Sequence, residues 1–401
     1  MNARNLITIT IASIAGACTA QPTELRIATF NIEDVRTSDL LRDDQPRLNL
    51  VAETIQRLRP NIILLNEIAY DWPGIDGAPA DGPAGRNGSR FVERYLNHSI
   101  FEDVRPIHYR AFMWPSNTGR HSGFDLDNNG RIVDHYPKPE PSDAEGNPPP
   151  QTAEGRDFGG DAWGFGTYPG QYAMALLVDE RLDVLTDEVR TFQLLPWRYM
   201  GAPKAPVDPE SGEPWYSEEE WQAFRLSSKS HWDVPVRLPS GAIVHFLCSH
   251  PTPPAFDGPE GRNKRRNADE IRFWNDYLDN KAYIVDDAGN EGGLRRGSLF
   301  VILGDLNADP EEPTWEANAI RDLLDDPLLG PDPKPTANHS IEGLDPTDTA
   351  RWGKRADYVL PSRQIVVNRS GIHRPAEGKP SPSDHFPVWV EVVIPGPKAG
   401  G

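Results

Sequence analysis

The stretch Ser383-Asp384-His385-Phe386-Pro387 precedes an apolar run near the C-terminus and completes the series of residues that decides the fold. Upstream of it, polar residues repeatedly follow hydrophobic runs of strand length. These residues are Asn31, Glu33, Glu67, His250, Asp305, Asn307 and Asp357. Carboxylates, carboxamides and imidazoles therefore recur where strands are expected to leave a core. This inventory suits a divalent-metal site with an acid–base histidine, because hard cations prefer oxygen ligands and phosphoryl chemistry requires neutralisation of charge.

The composition restricts the class of protein. A chain of 401 residues can form one large α/β domain or two ordinary ones, and it can bury a substantial core. Its formal net charge of -19 argues against a stable duplex-binding surface, because phosphate contacts are made chiefly by Lys and Arg. A polyanionic substrate must therefore meet a locally positive or metal-loaded cleft. The 40 Pro and 34 Gly indicate long ordered loops on a compact scaffold.

The first 20 residues have the pattern of an export signal peptide: a short basic start, an apolar stretch too short to span a bilayer, and small residues at the end. The segment ending in Cys18 resembles a bacterial lipoprotein signal with Cys18 as the acylated first residue, although Ala15 replaces the commoner Leu. Ordinary cleavage near Ala20 is the alternative. We therefore expect a periplasmic or extracellular protein, either soluble or anchored by lipid at Cys18.

Residues 21–401 are predicted to form a single domain in which strands and helices alternate. Strand 25–30, helix 48–58 and strand 61–66 make a β-α-β start, which places the strand-end residues of both strands at the same edge of a sheet. Further strands are predicted at 106–113, 172–179, 234–238, 242–249, 299–304, 356–360 and 387–394. Helices are predicted at 90–97 and, from an Asn-x-x-Glu capping pattern, after Asn267.

Two stretches, residues 114–165 and 196–225, interrupt this alternation. The first is rich in Gly, Asp and Pro, and the second carries Pro, Glu and three Trp. We interpret both as insertions whose apolar residues are too few and too irregular to build a core.

Six short motifs, in chain order, resemble the endonuclease/exonuclease/phosphatase superfamily, whose fold is that of deoxyribonuclease I. They are Thr29-Phe-Asn-Ile-Glu33, Asn66-Glu67, Ser249-His250, Gly304-Asp-Leu-Asn307, Arg355-Ala-Asp-Tyr358 and Ser383-Asp-His-Phe-Pro387. No single motif is specific, but six of them in the family's order, each at a predicted strand end, form a specific pattern. The resemblance spans most of residues 25–394. It implies an α/β (α+β) four-layer sandwich of two packed mixed β-sheets flanked by helices.

The resemblance also implies a metal side of the site. Glu67 would be the principal ligand of Mg²⁺ (or Mn²⁺), with Asn31 beside it. Glu33 and Asp384 would be further groups on the metal side.

The catalytic side would contain the remaining residues of the series. Asp305 and Asn307 would orient the attacking water and bind the scissile phosphate. His250 and His385 would face the phosphate, and Asp357 would hold one of these imidazoles in its working tautomer. Which histidine is the general base is left open.

Three arginines lie just before the helix that is predicted after Asn267: Arg262, Arg265 and Arg266. We expect one or more of them to bind an oxygen of the substrate phosphate. A salt-bridge cluster at the start of the helix is the alternative. Lys229, which precedes the strand before, has a weaker claim to approach the cleft.

Within the first insertion, Asp125, Asp127, Asn129 and Asp134 resemble the start of a Ca²⁺-binding loop. The match to an EF-hand is partial, because Tyr136 stands where the bidentate Glu is required. A structural Ca²⁺ that orders the insertion is one interpretation, and a polar turn is the other.

The leading functional hypothesis is a secreted or lipid-anchored, Mg²⁺-dependent phosphoesterase that cleaves phosphodiester (nuclease-like) or phosphomonoester bonds by metal- and His-assisted attack of water. Extracellular nucleic acid and small organophosphate esters are the expected substrates, and a monomer is expected. Two rivals remain at this point. One is a catalytically silent calcium-binding surface protein on the same fold, and the other is a membrane-lipid phosphodiesterase that uses a Cys18 anchor and the aromatic residues of 196–225.

Overall fold

The computed structural model describes residues 21–43 and 45–397. The predicted export signal, with Cys18, lies outside these residues. The strands are β1 (Thr23–Val35), β2 (Ile62–Ile68), β3 (Tyr109–Phe112), β4 (Met174–Asp179), β5 (Asp183–Val184), β6 (Arg190–Thr191), β7 (His231–Arg237), β8 (Ile243–Ser249), β9 (Leu299–Asp305), β10 (Asp357–Pro361), β11 (Val366–Ile372) and β12 (Val388–Ile394).

The helices are α1 (Thr37–Leu41), α2 (Pro46–Leu58), α3 (Asn87–Phe91), α4 (Ala153–Gly160), α5 (Glu218–Ala223), α6 (Arg262–Leu278) and α7 (Asn318–Leu324). A π-helical turn, Val92–Leu96, continues α3, and two 3₁₀ turns span Thr186–Glu188 and Trp197–Tyr199. In the described part of the chain, none of these helices has the length and apolar composition that a bilayer crossing requires.

Two six-stranded mixed sheets form the centre of the molecule. The first has the order β11-β12-β1-β2-β4-β3, and the second has the order β10-β9-β8-β7-β5 with β6 also paired to β7. Each sheet contains one parallel pair, β1 with β2 and β8 with β9, among antiparallel neighbours. Successive side chains of a strand point to opposite faces, so both faces of each sheet must be covered.

The side chains of β1 show how the layers are built. Leu25 and Ile27 belong to an apolar cluster shared by the two sheets, whereas Ala28 and Phe30 belong to a cluster that α2 covers. On the far side, a third cluster packs α6 and α7 against β8, β9 and β10. The order helix, sheet, sheet, helix confirms the predicted four-layer sandwich.

The predicted start of α6 is wrong by six residues. The helix begins at Arg262, after Gly261 in the left-handed conformation (φ 65°), and not after Asn267. The amide group of Asn267 instead lies inside the protein and donates to the carbonyl oxygens of Thr252 (2.7 Å) and Leu306 (3.0 Å). The Asn-x-x-Glu pattern therefore marks a side chain, Asn267, that ties two loops to the helix and does not cap it.

The expectation that the insertions contribute little to a core is also wrong. Trp163 of the first insertion and Trp197, Tyr216 and Phe224 of the second are buried in the cluster around α6. Trp197 donates its indole N–H to Asp269 Oδ2 at 2.7 Å, which fixes the second insertion on the helix. Aromatic side chains that bury large areas can anchor a segment without any periodic pattern, which is why periodicity missed them.

Candidate active site

The site lies where the carboxyl ends of the two parallel strand pairs face each other across the sandwich. Asn31 pairs in register with Asn66, which places Asn31 beside Glu67 at the end of β1 and β2. In the other sheet, Asp305 at the end of β9 pairs with Asp357 at the start of β10. Glu67 has a positive φ of 65°, a strained conformation that is common at functional sites. Strand ends therefore bring the predicted residues together.

The side-chain amide of Asn31 joins the two sheets. Its Nδ2 donates to Glu67 Oε1 at 2.9 Å and to Asp305 Oδ2 at 3.0 Å. Its Oδ1 accepts a hydrogen bond from the backbone N–H of Glu33 at 3.0 Å. Asn31 therefore holds two carboxylates in place at the predicted position in the site. Its Oδ1 accepts one N–H and keeps a second lone pair, so its role as a metal ligand stays a prediction.

Asp305 is the centre of the arrangement. Its Oδ2 lies 3.4 Å from His250 Nε2 and 3.6 Å from His385 Nε2, while its Oδ1 accepts the backbone N–H of Asn307 at 2.9 Å. Burial opposes ionisation, yet His385 and His250 hold the pKa of Asp305 well below its usual range. This carboxylate is therefore charged and fixed between two imidazoles.

His385 is oriented from behind by Asp357. The imidazole Nδ1 lies 2.8 Å from Asp357 Oδ2, and the hydroxyl of Thr349 donates to the same oxygen at 2.7 Å. Burial lowers the tendency of His385 to carry a proton, but Asp357 and Asp305 outweigh it and raise its pKa well above the usual value. With Nδ1 engaged, Nε2 is the atom of His385 that faces the site.

His250 differs from His385 in its surroundings. Burial and the neighbouring Lys229 lower the pKa of His250 to about 4, so this imidazole is neutral at pH 7. Its Nε2 faces Asp305 and lies 3.9 Å from Glu67 Oε1. Its Nδ1 is buried and finds no hydrogen-bond partner in residues 21–43 and 45–397. The two histidines that face Asp305 therefore differ in their tendency to carry a proton: the pKa of His250 is lowered and that of His385 is raised.

The carboxylates on the metal side crowd one another. Burial, reinforced by the charge of Asp384, raises the pKa of Glu67 to about 7. The same two causes raise the pKa of Glu33, whose Oε2 accepts the backbone N–H of Asp384 at 3.1 Å. Oxygens of Glu67 and Asp305 and a nitrogen of His250 lie within 4.8 Å of one another. Hard oxygen donors with unbalanced negative charge fit a divalent cation such as Mg²⁺ or Mn²⁺.

Lys229 is a buried cation near this site. Its side chain is buried, and its Nζ makes a single long hydrogen bond of 3.4 Å to the carbonyl oxygen of Pro251. Burial lowers its pKa, while Glu270, Glu67 and Asp305 oppose that shift. A buried ammonium that is close to these groups, and that has one weak partner among the residues the structure describes, can bind a further anionic oxygen. Sequence reasoning assigned Lys229 only a weaker claim to approach the site, because a lone Lys before a strand carries no distinctive pattern.

Glu270 and Asn267 of α6 hold the loops of the site, and neither role was predicted. The carboxylate of Glu270 accepts the backbone N–H of Ser228 at 2.6 Å and of Thr252 at 2.7 Å. Ser228 precedes Lys229 in one loop, and Thr252 follows His250 in the other. Asn307 also reaches the second loop, since its Nδ2 donates to the carbonyl oxygen of Pro251 at 3.1 Å. One helix thus positions both loops.

The three arginines predicted to bind phosphate are engaged elsewhere. Arg266 is buried, and its guanidinium donates to the carbonyl oxygens of Leu226, Trp163 and Arg225. The remaining two have separate structural partners. Arg262 donates to backbone carbonyls of the first insertion, and Arg265 donates to Glu260 and lies over the ring of Trp315. The guanidiniums of Arg262 and Arg266 fasten the insertions to α6 through backbone carbonyls, which argues against their predicted role in substrate binding. For Arg265, which bonds through Nε to the loop before α6, that role stays a prediction.

The candidate Ca²⁺ loop has a different composition from the predicted one. Asp125 and Asp127 lie together with Asp161, and oxygens of these three residues are within 4.8 Å of one another. Asn129 bonds to both of the first two, whereas Asp134 is exposed and pairs with His135. Both oxygens of Asp161 accept backbone N–H groups, of Leu126 and Val133. The acidic groups therefore organise the loop through hydrogen bonds.

Comparisons with known proteins place the chain in a family. The model of the Endonuclease/Exonuclease/phosphatase family matches residues 28–385. No curated protein matches the sequence significantly. Among solved structures, the chain is similar to an endonuclease/exonuclease/phosphatase from Beutenbergia cavernae, with 17% identity, 94% of this chain and 73% of that chain covered, and a TM-score of 0.49.

Two further solved structures are similar over most of their length. The human Nocturnin catalytic domain with bound sulfate anion has 13% identity and a TM-score of 0.48, with 92% of this chain and 94% of that chain covered. A mannosyl-6-phosphatase from Bacteroides thetaiotaomicron has 13% identity and a TM-score of 0.43, with 92% and 100% covered. Because the family model spans nearly the whole described domain, this chain belongs to the endonuclease/exonuclease/phosphatase family, whose members are typically hydrolases of phosphoesters.

Proposed function

We propose that the protein is a Mg²⁺- or Mn²⁺-dependent phosphoesterase that hydrolyses phosphodiester or phosphomonoester bonds by direct attack of water. One observation carries the proposal: His250 Nε2 and His385 Nε2 both lie within 3.6 Å of the same oxygen of Asp305. A charged carboxylate can orient a water molecule, and the imidazoles beside it can exchange protons with that water. Glu67 stands beside this group, so acid–base groups and candidate metal-binding oxygens lie together.

The metal would be held chiefly by Glu67, with Glu33 and Asp384 adjoining it. Their mutual crowding, visible in the raised pKa values of Glu67 and Glu33, supports a cation at this position. When bound, such an ion supplies electrostatic stabilisation for charge that develops on the phosphoryl oxygens.

The protein's own groups would perform the proton transfers. Asp357 Oδ2 is hydrogen-bonded to Nδ1 of His385, which leaves Nε2 to give a proton to the substrate or accept one from it. The backbone N–H of Asn307 and the amide of Asn31 fix the carboxylate of Asp305, so that Oδ2 faces both imidazoles. Preorganised groups of this kind avoid reorientation during the reaction.

Lys229 would bind a non-bridging oxygen of the substrate phosphate. The motivation is the single long hydrogen bond of its buried ammonium group, together with the commitment of the neighbouring arginines to backbone carbonyls. A Lys229→Met variant should raise KM for a phosphoester by at least about tenfold, on the order of one lost charge-assisted hydrogen bond. An unchanged KM would contradict this role.

A small phosphoester is the substrate class that we favour. The net charge of -19 repels an extended polyanion, and because Arg262 and Arg266 donate to backbone carbonyls, Lys229 is the cation that we assign to the phosphate. Extracellular nucleic acid remains the second class to be compared.

We also propose that the protein is exported, on the pattern of its first 20 residues alone. Cell fractionation with N-terminal sequencing of the mature protein tests this, and an uncleaved chain in the cytoplasm would contradict it. Metabolic labelling with palmitate distinguishes an anchor at Cys18 from simple cleavage.

The activity is tested with purified protein that is stripped with EDTA and then supplied with Mg²⁺, Mn²⁺ or Ca²⁺. The substrates are bis(p-nitrophenyl) phosphate, p-nitrophenyl phosphate, plasmid DNA and a phospholipid vesicle. We expect metal-dependent turnover of the small esters, and a loss of at least about a thousandfold in His385→Gln, since acid–base groups typically contribute 10²–10⁴-fold. Equal inactivity of both proteins on every substrate would overturn the proposal and favour a silent binding protein. Preferential turnover of the vesicle would favour a lipid phosphodiesterase.

A further inference from the structure

Trp352 is an exposed aromatic residue in direct contact with a proposed catalytic imidazole. Its ring centroid lies 4.8 Å from that of His385, with an interplanar angle of 85°. His385 is buried, whereas 49% of the surface of Trp352 is open to solvent. A single exposed Trp elsewhere on a protein needs no special explanation. This one contacts the imidazole that we propose to act on the phosphoester.

The loop that carries Trp352 is fixed to the segment that carries His385. The backbone N–H of Arg351 donates to Asp384 O at 2.8 Å, and that of Phe386 donates to Thr349 O at 2.7 Å. The same Thr349 hydroxyl bonds to Asp357, which orients His385. The indole is therefore held in place together with the catalytic pair, and it needs no rearrangement to meet a ligand.

A tight turn keeps the indole at the tip of this loop. Ala350 and Lys354 bond to each other through their backbones, and Gly353 between them has a φ of 76°, which favours glycine. Trp352 occupies the position before this glycine. A preorganised aromatic surface of this kind binds a planar ring at low entropic cost.

We propose that Trp352 forms a subsite for an aromatic ring on the ester group of the substrate, adjacent to the phosphate that His385 faces. The inference rests on the proposed phosphoesterase function and names its substrate class: an aryl or nucleoside phosphoester. A ring joined to phosphorus through one ester oxygen extends a few ångströms from the imidazole, which is the distance at which Trp352 stands. Stacking on an indole tolerates any planar ring, so the subsite selects the ring's presence and not its identity.

The test measures binding and not turnover. Three non-hydrolysable ligands, phenylphosphonate, cyclohexylphosphonate and methylphosphonate, are titrated into the protein with Mg²⁺ in a calorimeter. We expect phenylphosphonate to bind roughly tenfold more tightly than methylphosphonate, in keeping with the usual contribution of stacking. Trp352→Ala should abolish this ratio, and Trp352→Phe should keep most of it.

Trp315→Ala is the matched control, because Trp315 is exposed to a similar degree (46%) but contacts Arg265 and not His385. It lies in the loop before α7. This variant should leave the ratio unchanged. A ratio that survives in Trp352→Ala, or equal binding of the cyclohexyl and phenyl ligands, would overturn the aromatic subsite. If the ring preference depends on Trp352 but no phosphoester is hydrolysed, the subsite stands and the proposed activity fails. Hydrolysis with no ring preference gives the opposite conclusion.

Discussion

The carboxylate of Glu270 offers the sharpest test of how the site is built. It is buried in α6 and accepts two backbone N–H groups, from Ser228 at 2.6 Å and from Thr252 at 2.7 Å. Each buried N–H that loses its acceptor costs roughly 1–3 kcal/mol. Glu270→Ala removes both acceptors and leaves a cavity, so we expect a loss of about 4–5 kcal/mol in the free energy of unfolding.

Glu270→Gln keeps the size of the side chain but retains only one acceptor oxygen. Its NH₂ group must face the second N–H, and we therefore expect a loss of about 2 kcal/mol, near half of that in the Ala variant. Because the two loops position Lys229 and His250, kcat/KM should also fall at least about tenfold in protein that remains folded.

Urea unfolding followed by fluorescence measures the stability, and phosphoester hydrolysis at low urea measures the activity. Glu219→Gln, on the exposed surface of α5, is the matched control and should change neither quantity. A Glu270→Gln variant within about 0.5 kcal/mol of the wild type would show that the two N–H groups find other partners, and would refute this reasoning.

Three further predictions concern other parts of the fold. Asp357→Asn should reduce kcat about 10²-fold or more with little change in KM, because a neutral amide no longer stabilises the charged form of His385; a change confined to KM would contradict this. Gly304→Ala should lower the free energy of unfolding by about 3 kcal/mol, because Gly304 has a φ of 150° and a Cβ there would lie 1.9 Å from the carbonyl oxygen of Ser249; a urea midpoint equal to the wild type would contradict it. His231 is buried, and burial lowers its folded-state pKa to about 4. The neutral imidazole therefore contributes its full stabilisation of the folded state above the unfolded pKa near 6.5, and this stabilisation is lost as the pH falls toward 4. Between pH 7 and pH 5 the wild type should lose about 2 kcal/mol more than His231→Gln in urea titrations, and parallel losses would argue against the assignment.

Most of the longer strands were predicted because their residues alternate or run apolar over strand length, but β11 was missed because its polar and exposed residues give no such pattern. Strand 25–30 was predicted from this pattern alone, whereas the four-layer architecture was implied by the family resemblance of the six motifs. The insertions were misjudged because Trp197 and Tyr216 contact α6 through isolated large side chains that leave no period in the sequence.

The composition of the site was predictable to the extent that its residues end strands. Glu67 and Asp305 follow apolar runs, and parallel pairing brings such ends to one edge. The proposed phosphate partner, Lys229, was harder to predict, because a cluster of arginines is a stronger pattern than a lone lysine. Only the packing of the arginines on backbone carbonyls reveals that they are engaged. Long-range contacts of this kind are absent from local sequence patterns.

The most direct test of the central claim, that this cleft combines a metal with acid–base groups, is calorimetric titration of the metal-free protein with Mn²⁺. One ion per chain should bind to the wild type, and Glu67→Gln should weaken that affinity at least about tenfold while its unfolding midpoint stays near that of the wild type. An affinity that is unchanged in Glu67→Gln, or no binding to the wild type at millimolar Mn²⁺, would contradict the account.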